Sequence, residues 1–237
     1  MELRSQPQDP PIELVETDSG EVTLLIDGHQ AMQAWESELM WEMADLLCEY
    51  GSEFLEVGLG LGISALRIAG NPRTRQHIVL EKYEKVIELF KDRHTELPDS
   101  LEIVNVDLFD YVHELESESV DGIFLDPYIP RGVCGNMTDP VWEEVMPVMV
   151  RALRIGGVMI PMFAKRPELN ELLSPYFRRV IVERRSFYTY PSTKYMSTTD
   201  GVTDFTAPPE GADDHMSPTK GTAYIQCFIK TVEPNIQ

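Results

Sequence analysis

Cysteine is scarce in this sequence, with only three residues among 237. Cys48, Cys134 and Cys227 are far apart and odd in number, and no two of them have CxxC spacing. This pattern argues against a disulfide framework and against a cysteine-based zinc site. We therefore expect a reducing, cytoplasmic compartment and predict no metal site.

Basic residues are also few, because 20 Lys and Arg face 40 Asp and Glu, for a formal net charge of -20. A surface this acidic repels a phosphate backbone, so nucleic acid is not expected as a partner. The same field attracts a cationic substrate. Solubility alone also explains such acidity, and the charge by itself does not decide between the two.

Long apolar runs are missing as well. No segment reaches the ~18 uninterrupted apolar residues of a membrane span, and no basic stretch near the N-terminus leads into an apolar one. We expect a protein that is neither exported nor membrane-bound. A length of 237 residues suits one domain with extensions, and the sequence leaves open whether the chain forms a homodimer.

The two ends of the chain differ in composition from its centre. Residues 1–29 include a polar, acidic and proline-bearing stretch and are interpreted as a flexible N-terminal arm. An amphipathic helix is predicted from about residue 30 to residue 50, at the start of a domain over 30–237. Residues 191–221 are rich in Pro, Thr, Asp and Gly, and we interpret this connection as a lid or a mobile insertion.

Apolar segments of strand and helix type alternate between these two regions. Such alternation predicts a mainly parallel sheet with helices on both faces, and the last two strand-like segments are expected to pair antiparallel. The predicted fold is α/β: a Rossmann-like, doubly wound, mainly parallel seven-stranded sheet with an antiparallel edge strand. The predicted strands comprise residues 54–57, 77–80, 101–106, 120–125, 158–163, 178–190 and 223–230, and the predicted helices 63–69, 85–93, 141–153 and 168–177.

A glycine-rich turn follows the first of these strands, with the sequence Glu56-Val-Gly58-Leu-Gly60-Leu-Gly62. A strand that leads through glycines into a helix presents backbone N–H groups and a helix N-terminus to a ligand, with no side chains in the way. A nucleotide-like ligand is therefore predicted. Glycine-rich turns also bind dinucleotides, and one alone can be a mere tight turn.

Acidic residues end the next two strands. Glu81 is placed where a carboxylate accepts hydrogen bonds from two ribose hydroxyls. Asp107, or the backbone of Leu108 after it, is a candidate for binding an adenine amino group, although a loop carboxylate at this position can also be merely solvated. Together with the glycine turn, these residues define a candidate cofactor site.

The spacing E-x-G-x-G-x-G resembles the first motif of class I methyltransferases, whereas dinucleotide-binding proteins have G-x-G-x-x-G. Residues 120–126 and 153–158 also resemble later motifs of that class, so the likeness spans about residues 50–165. The resemblance implies S-adenosylmethionine as the cofactor. It disfavours a nicotinamide oxidoreductase.

Asp126-Pro-Tyr128 follows a central strand, where cofactor and acceptor meet in an open α/β sheet. We select Asp126 as the first candidate for binding the acceptor, the alternative being a cap on the strand-to-loop turn. The tripeptide resembles the D/N-P-P-Y/F motif of amino methyltransferases, including those acting on adenine in DNA. One proline is absent, and the acidity argues against DNA.

Met32-Gln-Ala-Trp35-Glu36 is similar to a segment that precedes the core in guanidinoacetate methyltransferases, a family that includes arginine δ-N-methyltransferases. The resemblance implies that Glu36 and Asp126 contact a guanidino group, that Tyr128 and Trp35 lie at the substrate, and that Met32 lies at the cofactor. Without it, Met32 and Trp35 would be assigned to core packing and Glu36 to a solvated helix face.

Two carboxylates can bind one guanidinium at the same time, because the planar group has five N–H donors suited to bidentate pairing. We therefore expect an N-methyltransferase acting on a small guanidino compound such as L-arginine or guanidinoacetate, with Asp126 and Glu36 as catalytic residues. The chain departs from the family at Pro127 and in the longer 191–221 connection. Another small amine, a protein arginine, and a non-catalytic adenosylmethionine-binding interaction protein stay open as alternatives.

Overall fold

Three short antiparallel strands precede the core in the computed structural model, which describes residues 10–127, 141–190, 193, 197–199, 202–204 and 220–232. Strand β1 is Ile12–Glu16, β2 is Val22–Ile26 and β3 is His29–Gln33. Their order in the sheet is β1-β2-β3. The sequence predicts a flexible arm over residues 1–29, whereas the described part of that segment is largely β-sheet.

A two-residue turn explains why this segment folds. Asp27 and Gly28 have φ values of 53° and 72°, and Ile26 pairs directly with His29 across the turn. An Asp-Gly pair accepts positive φ at both positions, which matches the twist of the two strands. Leu24 and Ile26 of β2 are buried in the core of the protein, so the turn and an apolar face together hold the sheet in place.

The predicted helix over residues 30–50 begins later than expected. β3 continues to Gln33, a 3₁₀ turn covers Ala34–Glu36, and helix α1 covers Ser37–Cys48. Met32, which has helical spacing relative to the apolar residues of α1, is in a strand. The strand-to-helix change at Gln33 places Glu36 at the junction between the N-terminal sheet and the core.

The core contains the alternating strands and helices that the sequence predicts. The helices are α2 (Ile63–Ala69), α3 (Glu84–Arg93), α4 (Leu108–Tyr111) and α5 (Val141–Ala152), with a further 3₁₀ turn at Val112–Glu114. The strands are β4 (Glu53–Val57), β5 (Gln76–Glu81), β6 (Leu101–Asn105), β7 (Val120–Leu125), β8 (Leu153–Pro161), β9 (Arg179–Tyr188), β10 (Ser197–Thr199), β11 (Val202–Asp204) and β12 (Lys220–Ile229).

Seven of these strands form one sheet in the order β6-β5-β4-β7-β8-β12-β9, and β10 pairs with β11 separately. The pairs from β6 to β8 are parallel, whereas β12 is antiparallel to both β8 and β9. The predicted fold class is confirmed, and the reversed strand lies one position in from the edge strand β9. The strand order reverses direction at β4 and β7, where ligands bind in open α/β sheets.

Helices cover both faces of the sheet, as expected for buried parallel strands. Consecutive residues of β4 point to opposite faces, so Phe54 packs with α1, α2 and α3 and Leu55 packs with α4 and α5. The side chains of Met43 and Met146 are fully buried in these two clusters. The carboxyl ends of the central strands are therefore held rigidly.

A helix does not form over residues 168–177 as predicted. A 3₁₀ turn at Ser174–Tyr176 is the helical element there, and the Asn170 side chain accepts hydrogen bonds from the N–H groups of Leu172 and Leu173. A short polar side chain that bonds nearby backbone competes with a helix. Most of the predicted lid over 191–221 lies outside the described residues. Within the part of the chain that the structure describes, no helix is long and apolar enough to cross a membrane.

Candidate active site

The glycine-rich turn connects β4 to α2 and leaves no room for side chains. A Cβ atom on Gly60 would lie 2.7 Å from Met32 Sδ, and one on Gly58 would lie 2.4 Å from the carbonyl oxygen of Asp126. Both glycines also have positive φ values, of 53° and 93°. A residue with a side chain at either position would strain the backbone and collide with neighbouring atoms. Glycine at both positions lets the backbone of the turn lie close to a ligand.

Glu81 ends β5 with its carboxylate fixed in place. Its Oε2 accepts a hydrogen bond from Leu59 N at 2.9 Å, and its Oε1 accepts one from Tyr83 N at 2.9 Å. The side chain is buried, and burial raises the pKa of Glu81. The backbone N–H groups of Gly60 and Lys82 also lower this pKa, so four backbone N–H groups fix the carboxylate at the cavity wall. Its contact with the ribose hydroxyls stays a prediction.

Asp107 ends the segment after β6 and caps helix α4. Its Oδ1 accepts a hydrogen bond from Phe109 N at 3.0 Å, and its Oδ2 lies 2.7 Å from Lys82 Nζ. Leu108 is the first residue of α4, and the first amide of a helix has no acceptor within the helix. Asp107, Leu108 and Phe109 all line one cavity. The contact of Asp107 or the Leu108 backbone with an adenine stays a prediction.

Met32 closes the opposite side of the glycine turn. Its Sδ accepts a hydrogen bond from Leu61 N at 3.2 Å. The N-terminal sheet thereby covers the turn, and Leu24, Ile26 and Ala31 add apolar wall to the same cavity.

Glu36 and Asp126, the two acidic residues predicted to bind the acceptor, both line this cavity. Burial, together with the nearby charge of Asp126, raises the pKa of Glu36 to about 8, although the N–H group of Gln33 donates to Glu36 Oε1 at 2.7 Å. Burial and the charge of Glu56 raise the pKa of Asp126 to about 7. No described side chain forms a salt bridge with either carboxylate. A cation that enters the cavity would therefore stabilise the ionised form of both carboxylates.

Glu56 lies beneath the glycine turn and is not among the described residues that line the cavity. It is 1% exposed, accepts a hydrogen bond from the Ser64 hydroxyl, and lies 3.0 Å from Nε2 of the fully buried His77. The contact with His77 has the distance of an ion pair but lacks the direction of a hydrogen bond. Glu56 therefore acts on the site through its charge beside Asp126. Its sequence-predicted contact with the cofactor stays a prediction.

Of three other residues predicted for the site, two pack against aromatic rings and the third is not described. Gly62 packs against Phe90, whose ring would lie 2.1 Å from an added Cβ. Trp35 stacks on Phe187 with ring centroids 5.0 Å apart and is not among the described residues of the cavity wall. Tyr128 lies outside the described residues.

The cavity that joins these groups has a volume of about 350 Å³. It runs from the Asp107 end, past Glu81 and the glycines, to Glu36 and Asp126. Several of its wall residues were not predicted, because an apolar or aromatic residue in a strand, in a helix or next to one gives no sign of facing a cavity. They are Leu24, Ile26, Tyr83, Val86, Trp142 and Met162.

Solved structures share this fold. The chain is similar to spermidine synthase from Thermotoga maritima, with a TM-score of 0.64 and 18% identity over 98% of this chain and 73% of that one. It is also similar to a spermidine synthase in complex with the transition state analogue AdoDATO, with a TM-score of 0.62 and 17% identity over 98% and 72%. For precorrin-6Y C5,15-methyltransferase from Geobacter metallireducens, the TM-score is 0.54 and the identity 14% over 82% and 88%.

The class follows from a family match, with which the fold and the glycine turn agree: the protein is an S-adenosylmethionine-dependent methyltransferase. A family model described as guanidinoacetate N-methyltransferase matches residues 12–164, and the chain belongs to that family. The matched segment starts in β1 and ends shortly after β8, so it includes the N-terminal sheet that sequence reasoning alone assigns to an arm. The cofactor is S-adenosylmethionine, and the glycine turn, Glu81 and the Asp107 end of the cavity form a site that suits it.

Proposed function

We propose that this protein transfers a methyl group from S-adenosylmethionine to a nitrogen of a small guanidino compound such as L-arginine or guanidinoacetate. The observation that carries the proposal is the pair Glu36 and Asp126, two enclosed carboxylates in the cavity that also contains Gly58, Gly60 and Glu81. The family match supports the same substrate class.

The electrostatics of the pair favour a cation. Each carboxylate has a raised pKa, and the charge of Asp126 is one cause of the shift at Glu36. A guanidinium between them compensates both charges, so its binding lowers both pKa values and ionises the pair. Its planar array of N–H donors can engage two carboxylates at once, which fixes the orientation of the remaining nitrogen.

The cofactor's position follows from the other residues of the cavity. In our proposal Glu81 accepts hydrogen bonds from the ribose hydroxyls, and Asp107 with the Leu108 amide binds the adenine edge. Gly58 and Gly60 allow the methionine part to approach the backbone, and Met32 covers it. In this arrangement the methionine part would lie near Asp126, because the backbone of Asp126 lies against Gly58.

When bound, the cofactor supplies an electrophilic methyl carbon on a sulfonium. Glu36 would orient the guanidinium so that one nitrogen is turned toward the cofactor. A guanidinium of pKa above ~12 has no free lone pair, so it must lose a proton to act as a nucleophile. Asp126 would accept that proton and then release it to solvent, and the cofactor would supply the methyl group and leave as S-adenosylhomocysteine.

An acceptor panel with labelled methyl donor tests the proposal. L-arginine, guanidinoacetate and simple primary amines are compared at pH 8, where the carboxylates can ionise. The labelled methyl group should be transferred to at least one of the guanidino compounds. Its transfer to the amines should be much slower. Transfer to amines only, or to none of the acceptors while adenosylhomocysteine binds, would refute it.

The residue roles are tested separately. Asp126→Ala should lower turnover by about 10²- to 10⁴-fold, the usual contribution of a positioned acid or base. Its affinity for adenosylhomocysteine, measured by calorimetry, should stay within threefold of wild type because the cofactor residues are unchanged. Near-normal turnover in this variant would remove Asp126 from the mechanism.

A further inference from the structure

Gln33, the last residue of β3, is the centre of a buried hydrogen-bond network beside the acceptor site. Its Nε2 donates to Thr23 Oγ1 at 2.8 Å. Its Oε1 accepts from Trp35 Nε1 at 2.9 Å and from Thr193 Oγ1 at 2.7 Å. Gln33, Thr23 and Thr193 are all buried. A glutamine amide with this many partners has one conformation.

The chemistry of the partners fixes the direction of each bond. An indole N–H can only donate, so the Gln33 atom that faces Trp35 must be the carbonyl oxygen. The Thr193 hydroxyl faces the same oxygen and must donate its proton. Trp35 is itself held by stacking on Phe187, near the end of β9. The Gln33 side chain thus joins β2, the 3₁₀ turn and a residue that follows β9.

The backbone of Gln33 extends this network to the acceptor site, because its N–H donates to Glu36 Oε1 at 2.7 Å. Thr193 is separately anchored, since its N–H donates to the carbonyl oxygen of Tyr190 at 3.1 Å. Two short hydrogen bonds, one to the side chain of Gln33 and one from its backbone, therefore link Thr193 to the carboxylate of Glu36 through the covalent structure of Gln33.

We propose that Gln33 is a positioning residue which couples Thr193 to Glu36, so that affinity for the methyl acceptor depends on the hydroxyl of Thr193. The inference rests on the proposed role of Glu36 at the acceptor. Removing the Thr193 hydroxyl takes away one of the two hydrogen bonds that Gln33 Oε1 accepts, so the side-chain amide of Gln33 is held less firmly. The Gln33 backbone then loosens, and the Glu36 carboxylate loses the position in which it meets the acceptor. The cofactor side of the cavity is unaffected.

The test compares Thr193→Val, which removes the hydroxyl at constant shape, with Thr193→Ser, which keeps it. The probe is whichever of L-arginine and guanidinoacetate accepts label. In Thr193→Val the KM for the acceptor should rise about three- to tenfold, the usual effect of one buried hydrogen bond, with kcat and adenosylhomocysteine affinity within twofold. Thr193→Ser should restore the wild-type KM. Thr74→Val, which removes a hydroxyl that donates to Ile68 O away from the cavity, is the control and should leave KM unchanged.

Gln33→Met tests the route of the coupling. It should raise KM at least as much as Thr193→Val, and the double variant should be no worse than Gln33→Met alone, because both act through one side chain. Effects that multiply in the double variant, or an unchanged KM in a normally folded Thr193→Val protein, would overturn the proposal.

A measurement without acceptor separates this inference from the proposed function. Carbon-13 NMR of glutamate carboxyls, with Glu36 assigned by its loss in Glu36→Gln, should show Glu36 titrating at higher pH in Thr193→Val, because a weaker bond from Gln33 N–H favours the protonated form. An unchanged titration overturns the coupling. If instead Glu36→Gln leaves acceptor KM unchanged while the NMR shift is present, the proposed role of Glu36 fails and the coupling stands.

Discussion

Glu36 should destabilise the ligand-free protein at alkaline pH, and Glu36→Gln should remove that cost. The pKa of Glu36 rises from its ordinary 4.5 to about 8. Because the folded state holds this proton more tightly than the unfolded chain, the free energy of unfolding falls as the pH rises from about 4.5 to about 8. Above pH 8 the full cost is present, and below pH 4.5 it is absent.

The magnitude follows from the shift. At 1.36 kcal/mol for each pH unit, ionising Glu36 in the folded protein costs at most about 5 kcal/mol. Entry of water and relaxation around the carboxylate reduce such costs, so we expect about 2 kcal/mol. For a domain of this size that corresponds to a melting temperature about 4 to 8 °C higher in Glu36→Gln at pH 8.5.

Calorimetric melting of the ligand-free protein at pH 5 and pH 8.5 measures this difference. Wild type and Glu36→Gln should melt within about 2 °C of each other at pH 5 and diverge at pH 8.5. Glu38→Gln is the matched control, because Glu38 is an exposed carboxylate two residues away, and it should follow wild type at both pH values. An equal difference between wild type and Glu36→Gln at both pH values would show that Glu36 does not titrate abnormally.

Three further predictions concern the cofactor side and its link to the acceptor. Gly60→Val should abolish adenosylhomocysteine binding in calorimetry, because a side chain there collides with Met32 and strains a backbone of positive φ; measurable binding near wild-type affinity would contradict the assigned site. Glu81→Gln should weaken the same binding by tenfold or more through loss of a charged acceptor for the ribose, while an unchanged dissociation constant would move the ribose elsewhere. Glu56→Gln should shift the acidic limb of the kcat/KM profile to lower pH, because removing the Glu56 charge lowers the pKa of Asp126, and a shift to higher pH would reverse that assignment.

The meeting of Glu81, Asp107 and Asp126 at one cavity could be predicted, because it follows from local sequence. A strand that ends in glycines leads into a helix, and parallel neighbouring strands bring Glu81 and Asp107 to the same edge of the sheet. Asp126 follows from the same rule. These positions depend on elements that short segments specify, and the structure brings Glu81, Asp107 and Asp126 to one cavity.

The N-terminal sheet was missed although it carries a signal. Asp27-Gly28 between two apolar segments is a strong two-residue hairpin pattern, but the acidic and proline-bearing stretch before it suggested a disordered arm. Met32 also favoured the wrong prediction that a helix begins at about residue 30. Its spacing relative to Trp35 and Leu39 fits a helix as well as it fits the end of a strand.

The network around Gln33 could not be predicted from sequence at all. Gln33 and Thr193 are separated by most of the chain, and no local pattern indicates that their side chains meet. The helix wrongly predicted over residues 168–177 could have been avoided in part. Asn170 and Pro175 are visible in the sequence, but whether a polar side chain caps or interrupts a helix depends on the packing around it.

The two proposed acceptor carboxylates come from different parts of the fold. Asp126 extends from a central strand of the sheet, whereas Glu36 is held at the junction of the small N-terminal sheet. An enzyme built in this way can change its methyl acceptor during evolution by altering the junction around Glu36, while the glycine turn, Glu81 and Asp107, which bind the methyl donor in our proposal, stay intact. Chimeras that exchange residues 33–36 between members of the family, and so leave Met32 in place, are therefore a direct route to new acceptor preferences.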